Sequence, residues 1–142
     1  MKLSENFTLE EFIDPKTFKK FGKKSMWFID PKIVDIAQLL RDLSGVPVKI
    51  NDWHKGGRYK LSGLRPLTTS IGALRSQHKY GRGIDVKVEG LIPSEVHKLI
   101  LDNKREFLAA GLTTRESVKL TTSWTHLDCR WTGMHDIKIV GL

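Results

Sequence analysis

The sequence predicts an α+β fold in a single domain spanning residues 1–142, and three observations carry that prediction. Apolar residues recur at helical spacing after Asp30-Pro31. Short runs at 84–88 and 125–130 alternate as strands do. The elements also lack the strand–helix–strand repetition of a parallel sheet, so helices set against an antiparallel sheet follow. A chain of 142 residues with 39% hydrophobic and 28% charged content is large enough to bury a core without disulfides.

Taken in order, Thr8-Leu9-Glu10-Glu11 fits a capping box, with Phe7 and Phe12 placed to staple it, and predicts a short helix near 8–13. Residues 14–29 interleave Lys19, Lys20, Lys23 and Lys24 with Phe18 and Phe21 and read as a solvated basic connection anchored by its two aromatics. Asp30-Pro31 then caps and opens a helix whose Ile33, Val34, Ile36, Ala37, Leu39, Leu40 and Leu43 form a core stripe, and Gly45 stops it. Residues 46–51 alternate as a strand, at an edge or a strand start because of Pro47.

Residues 59–82 show no sustained period and have turn chemistry at Ser62-Gly63-Leu64-Arg65-Pro66. A long irregular stretch in a compact domain is usually functional. Ile84, Val86 and Val88 make a strand, and Pro93-Ser94 opens a second helix running toward Gly111. Further strands are predicted at 118–122, 125–130 and 137–140.

With 24 Lys and Arg against 16 Asp and Glu, the net charge is +8, which favours anionic partners: nucleic acid, acidic polymers or a bacterial envelope. The single Cys129 excludes an internal disulfide and a cysteine-rich zinc site, and alternation along its strand turns it toward the core. Any metal must be held by His and carboxylate. The opening Met1-Lys2-Leu3-Ser4-Glu5-Asn6 has no apolar core after it and no later stretch reaches membrane-spanning length. Cytoplasmic synthesis without a signal peptide and no membrane insertion are the expectations.

The chemistry concentrates in two segments. His78 and Asp85 are separated by Gly81 and Gly83, which let the backbone turn after His78 and run out as a strand aimed at the same point. About forty residues on, Trp124, His126, Asp128 and Arg130 share one strand face, so His126 can close the site with Asp128 beside it. Two imidazoles and a carboxylate, with a fourth position open, are a catalytic zinc ligand set.

Ser76, His78, Gly81 and Asp85, followed by Trp124 and His126, resemble the signature of the M15 peptidoglycan peptidases, the D-Ala-D-Ala carboxypeptidase family whose fold is shared with hedgehog signalling domains. Gly83 stands where the family usually has alanine. Asn6-Phe7-Thr8-Leu9-Glu10-Glu11-Phe12 looks like the opening of phage-associated members, and Ser62-Gly63-Leu64-Arg65-Pro66 looks like their Ser-Gly-Tyr-Arg segment. The resemblance implies Zn²⁺ on His78, Asp85 and His126, and a peptidoglycan stem peptide as substrate. Arg65 would bind a substrate carboxylate or the developing oxyanion. Arg75, Ser76 and Trp124 complete the expected substrate contacts, although a tryptophan in this place more often packs beneath a site than touches substrate.

One position departs from the pattern. The family's general base lies three residues before the second histidine, where this chain has Ser123. Asp128 is the stand-in, either as the base or as a carboxylate orienting a histidine. His54 and His135 are weaker candidates, and His97, on an amphipathic helix, reads as solvated. The expectations are a monomeric zinc peptidase of phage or prophage origin, acting on the cell wall after release or as part of a virion. The competing readings are a non-catalytic zinc module of the same fold and a nucleic-acid binder resting on charge alone, for which no recognition motif is present.

Overall fold

The computed structural model describes residues 1–141. Leu9–Glu11 forms a 3-10 turn, entered as the capping pattern predicts. The Glu11 carboxylate accepts the Thr8 amide at 2.8 Å, and Phe7 and Phe12 meet edge to face at 5.7 Å. The next segment differs from the predicted connection. Pro15–Phe21 is a helix (α1), and Gly22–Phe28 continues as a 3-10 stretch. The reason is Asp14-Pro15: the Asp14 side chain accepts the Thr17 amide at 3.0 Å and proline pre-sets the first turn.

The same device opens Pro31–Ser44 (α2), where Asp30 accepts the Lys32 amide at 3.1 Å and Gly45, at φ 70°, ends the helix. The predicted second helix is two, Pro93–Asp102 (α3) and Lys104–Ala110 (α4), broken at Asn103. The Asn103 side chain donates to the Leu99 carbonyl at 2.9 Å, a local bond that competes with the helical ladder.

Five strands, Val48–Lys49 (β1), Gly83–Val88 (β2), Thr114–Glu116 (β3), Thr125–Asp128 (β4) and Lys138–Val140 (β5), form one sheet in the order β1-β2-β4-β3-β5. The sheet is mixed, because β3 and β5 run parallel, which corrects the antiparallel expectation. The strand predicted at 118–122 is a turn, and the strand lies earlier, at β3. Ser117 diverts the chain: its carbonyl takes the Leu120 amide at 3.0 Å and its hydroxyl the Lys119 amide at 3.2 Å.

Strand alternation divides the sheet into two faces with different chemistry. Ile84, Val86 and Leu127 join Ile36, Leu40, Ile100 and Phe107 in one buried core under the helices, and Cys129 lies there as expected. Asp85 and Lys87 of β2 and His126 and Asp128 of β4 project from the other face. No helix of the described residues is long and apolar enough to cross a membrane.

Candidate metal centre

His78 sits in a 3-10 helix, Gln77–Tyr80, whose cap is Ser76, with Oγ accepting the His78 amide at 3.4 Å. Gly81 then takes φ 66° and reverses the chain. A Cβ there would lie 1.8 Å from the Phe28 carbonyl oxygen, so only glycine fits. At Gly83 the chain enters β2, which pairs with β4 so that Asp85 lies directly opposite His126. An alanine at 83 would bring its Cβ 3.2 Å from His126 Cε1, so the glycine leaves that ring its room.

The three expected ligands converge. His78 Nε2 lies 3.2 Å and His126 Nδ1 2.9 Å from the same atom, Asp85 Oδ1, and all three residues are buried. The outer edges of both imidazoles are engaged. His78 Nδ1 faces the Gly63 carbonyl at 2.9 Å and His126 Nε2 faces Asp128 Oδ2 at 3.0 Å. A carbonyl only accepts, and Asp128 is held ionised by Arg130, so each outer nitrogen carries its ring's proton.

Both inner nitrogens of the neutral rings therefore turn lone pairs toward a carboxylate oxygen. Three acceptors meeting at one point need positive charge between them: a proton on each ring or one divalent cation. The spacing suits a cation, since the edge of a tetrahedron with ligands about 2 Å from its centre is about 3.3 Å long. His78, Asp85 and His126 can thus hold a metal ion.

The electrostatics show the same demand. Burial would lower the His126 pKa, but Asp128 and Asp85 outweigh it and raise it to about 9. Burial opposes ionisation of Asp85, but without a metal the protons that His126 and His78 take up on their inner edges outweigh it and hold the carboxyl well below the usual carboxylate range. Asp128 is shifted down for the same reason, by His126 and Arg130 against its burial.

Arg65 donates from Nε to the Leu61 carbonyl at 2.6 Å and from Nη2 to Asp85 Oδ2 at 3.0 Å. It orients the carboxylate ligand, leaving Nη1 for other work. Asp128 lies on the far edge of His126 and is fully buried. Oδ1 accepts from the Arg130 amide and Nε, and Oδ2 from His126 and Arg130 Nη2. Of the two roles open to it, orientation of His126 is the one this placement serves.

Two compartments of about 380 and 510 Å³ share Arg65, Ile71, Asp85 and Trp124 and form one cleft over the ligands. Trp124 is 38% exposed and walls the cleft instead of packing beneath it. Arg75 and Ser76 line the first compartment, and Ser123 lines the second. In the second, Lys87 reaches the Ser62 hydroxyl at 2.9 Å, and burial lowers its pKa to about 8.

The weaker histidines are elsewhere. His54 borders a separate cavity with Asn6, Glu11 and Arg41, and His135 is exposed. His97 is buried, not solvated. It contacts Arg115 at 2.8 Å, and burial, helped by that guanidinium, lowers its pKa to about 4.

Glu116 is the site residue that sequence reasoning missed. It lines the first compartment, and extending the β3–β4 register by one step past Arg115 and Leu127 puts it opposite His126. Asp85, His126 and Glu116 thus form a row across three strands. The one available signal was the Thr-rich run after Gly111, which has moderate strand propensity.

Comparison with protein-family models, with curated proteins and with solved structures finds no match to the chain.

Proposed function

We propose that this chain is a zinc-dependent peptidase of the M15 type, with the hedgehog-like fold of that family, hydrolysing peptidoglycan stem peptides as a D-Ala-D-Ala carboxypeptidase or an endopeptidase. The observation that carries the reading is the meeting of two imidazole lone pairs and an ionised carboxylate at one buried point beneath an open cleft. Nitrogen and oxygen donors in this number and spacing favour zinc, which when bound supplies Lewis acidity toward a carbonyl and toward water.

The cleft's charge suits the substrate. Arg58, Lys60, Arg65, Arg75, Lys87 and Arg130 line it against two carboxylates, Asp85 and Glu116, so an acidic peptide is attracted. Arg65 Nη1 and Arg75 are the donors for a substrate carboxylate. For the acid–base work that Ser123 cannot perform, Glu116 is the carboxylate at hand. It accepts a proton from the attacking water and returns it to the departing amine as the C–N bond breaks. Phage or prophage origin, a monomeric state, and action on the wall after release or from a virion complete the proposal.

The test is cleavage of purified muropeptides by the metal-loaded chain. Chelation should abolish product and added Zn²⁺ should restore it, whereas full activity in chelator ends the metal mechanism. Glu116→Gln should lower turnover by about 10²- to 10⁴-fold with zinc content unchanged. Ser123 supports a second reading, a zinc module that binds the wall without cutting it. A zinc-loaded chain that sediments with cell walls and releases no fragment decides for that one.

A further inference from the structure

The segment predicted as a solvated connection with two anchored aromatics keeps its lysines in solvent but anchors only one of the two aromatics. α1 and the 3-10 stretch after it carry Lys16, Lys19, Lys20, Lys23 and Lys24, all exposed, with no acidic residue between Asp14 and Asp30. These five lysines contribute +5 of the net +8, and among the described residues none of them makes a salt bridge.

The aromatics lie outside as well. Only Phe18 is anchored, against Trp53 at 5.8 Å, while Phe21, Met26, Trp27 and Phe28 are 40, 43, 69 and 40% exposed. A groove of about 490 Å³ runs beside them, rimmed by Lys16, Lys20 and Lys79, with Phe21, Phe28 and Leu67 along its apolar side. Leu67, at the lip, is 71% exposed.

We propose that this face docks on a bilayer surface containing anionic phospholipid, with the lysines at the phosphates and Met26, Trp27 and Phe28 entering the headgroup boundary. Charge complementarity selects an anionic partner, and the consecutive apolar side chains select one with an apolar phase beneath its charge. A purely polar wall polyanion offers those side chains nothing. Nucleic acid fits less well. Phe21 and Phe28 meet edge-on at 4.9 Å and 75°, Lys20 covers the Phe21 ring and Lys24 the Trp27 ring, and so no parallel pair of open faces is left for successive bases. The docking is peripheral, since no helix of the described residues is long and apolar enough to span. The inference stands apart from the metal reading, because none of the three metal-ligand candidates belongs to this segment.

Cosedimentation of the full chain with vesicles tests it, comparing phosphatidylglycerol-containing with pure phosphatidylcholine vesicles at about 0.1 M salt. Binding to the anionic vesicles alone is expected. The quadruple variant K19Q/K20Q/K23Q/K24Q should lose at least about a hundredfold in partitioning, at about fivefold per lysine near the surface. Trp27→Ala should weaken binding severalfold, and brominated phosphatidylglycerol should quench wild-type tryptophan emission, a readout that needs no variant. Equal binding to both vesicle types, no binding to either, or anionic binding unchanged in both variants would overturn the proposal. Tighter, Trp27-dependent binding to single-stranded DNA than to vesicles would overturn it in favour of a nucleic-acid face.

Discussion

The candidate metal-ligand cluster and the segment from Pro15 to Phe28 are both rich in charge, and burial treats them oppositely. Around Asp85 the outer groups answer one another, Arg65 with the carboxylate and Arg130 with Asp128 at the outer edge of His126, while the point where the three acceptors meet calls for protons or a cation. The lysines of α1 and its extension stand in solvent with no ion-pair partner among the described residues. In low dielectric an unanswered charge costs several kcal/mol, so the buried cluster must draw in protons or a cation. In water it costs almost nothing, so the surface segment is free to hold charge for a partner.

Removing one member of the wired cluster should have the largest effect. In the metal-free chain, where His126 holds a second proton, Asp85→Ala strands that charge and Arg65, and should lower stability by about 3–5 kcal/mol in urea denaturation while abolishing stabilisation by added zinc. A loss below about 1 kcal/mol would show that the cluster is not electrostatically coupled as drawn.

Asp128→Asn acts one shell further out and should weaken zinc binding by about 10- to 100-fold, read by competition with a chromophoric chelator. Unchanged affinity would mean that His126 does not need its outer edge held.

His97 offers a milder version of the same contrast, a buried base beside a cation. Its folded pKa, about 4, lies below the unfolded value near 6.5. The unfolded chain therefore takes up the proton first as pH falls. Stability from this group is complete above about pH 6.5 and is lost as pH drops toward about 4, by on the order of 1 kcal/mol. His97→Gln should flatten that part of the stability–pH curve, and an unaltered slope in the variant would assign it to other groups.

The smallest effect is expected at the exposed lysines. Lys23→Gln and Lys24→Gln should leave the unfolding free energy within about 0.5 kcal/mol of wild type. A larger change would make the segment structural and blur the distinction between the two regions.

What could be read in the residues followed locality. Asp30-Pro31 and Gly45 bracket α2 correctly because caps and periodicity act within a turn or two. Asp14-Pro15 carried the same signature, yet the lysines after it read as a solvated connection and α1 was missed. The convergence of His78 with Asp85 was legible from Gly81 and Gly83, and the approach of His126 from strand alternation. Glu116 was hidden because β3 is three residues long and its strand character comes from pairing with β4 and β5.

By itself the sequence determined the α+β class, the core helix and the candidate ligand trio, since side-chain period and glycine freedom are properties of short stretches of chain. Only the tertiary structure decided which edge of His126 each carboxylate takes, that Trp124 walls the cleft, that β5 joins in parallel, and that Glu116 stands opposite a candidate ligand. Those outcomes depend on the register between segments far apart in the chain, and a shift of one residue would turn each of these side chains to the other face.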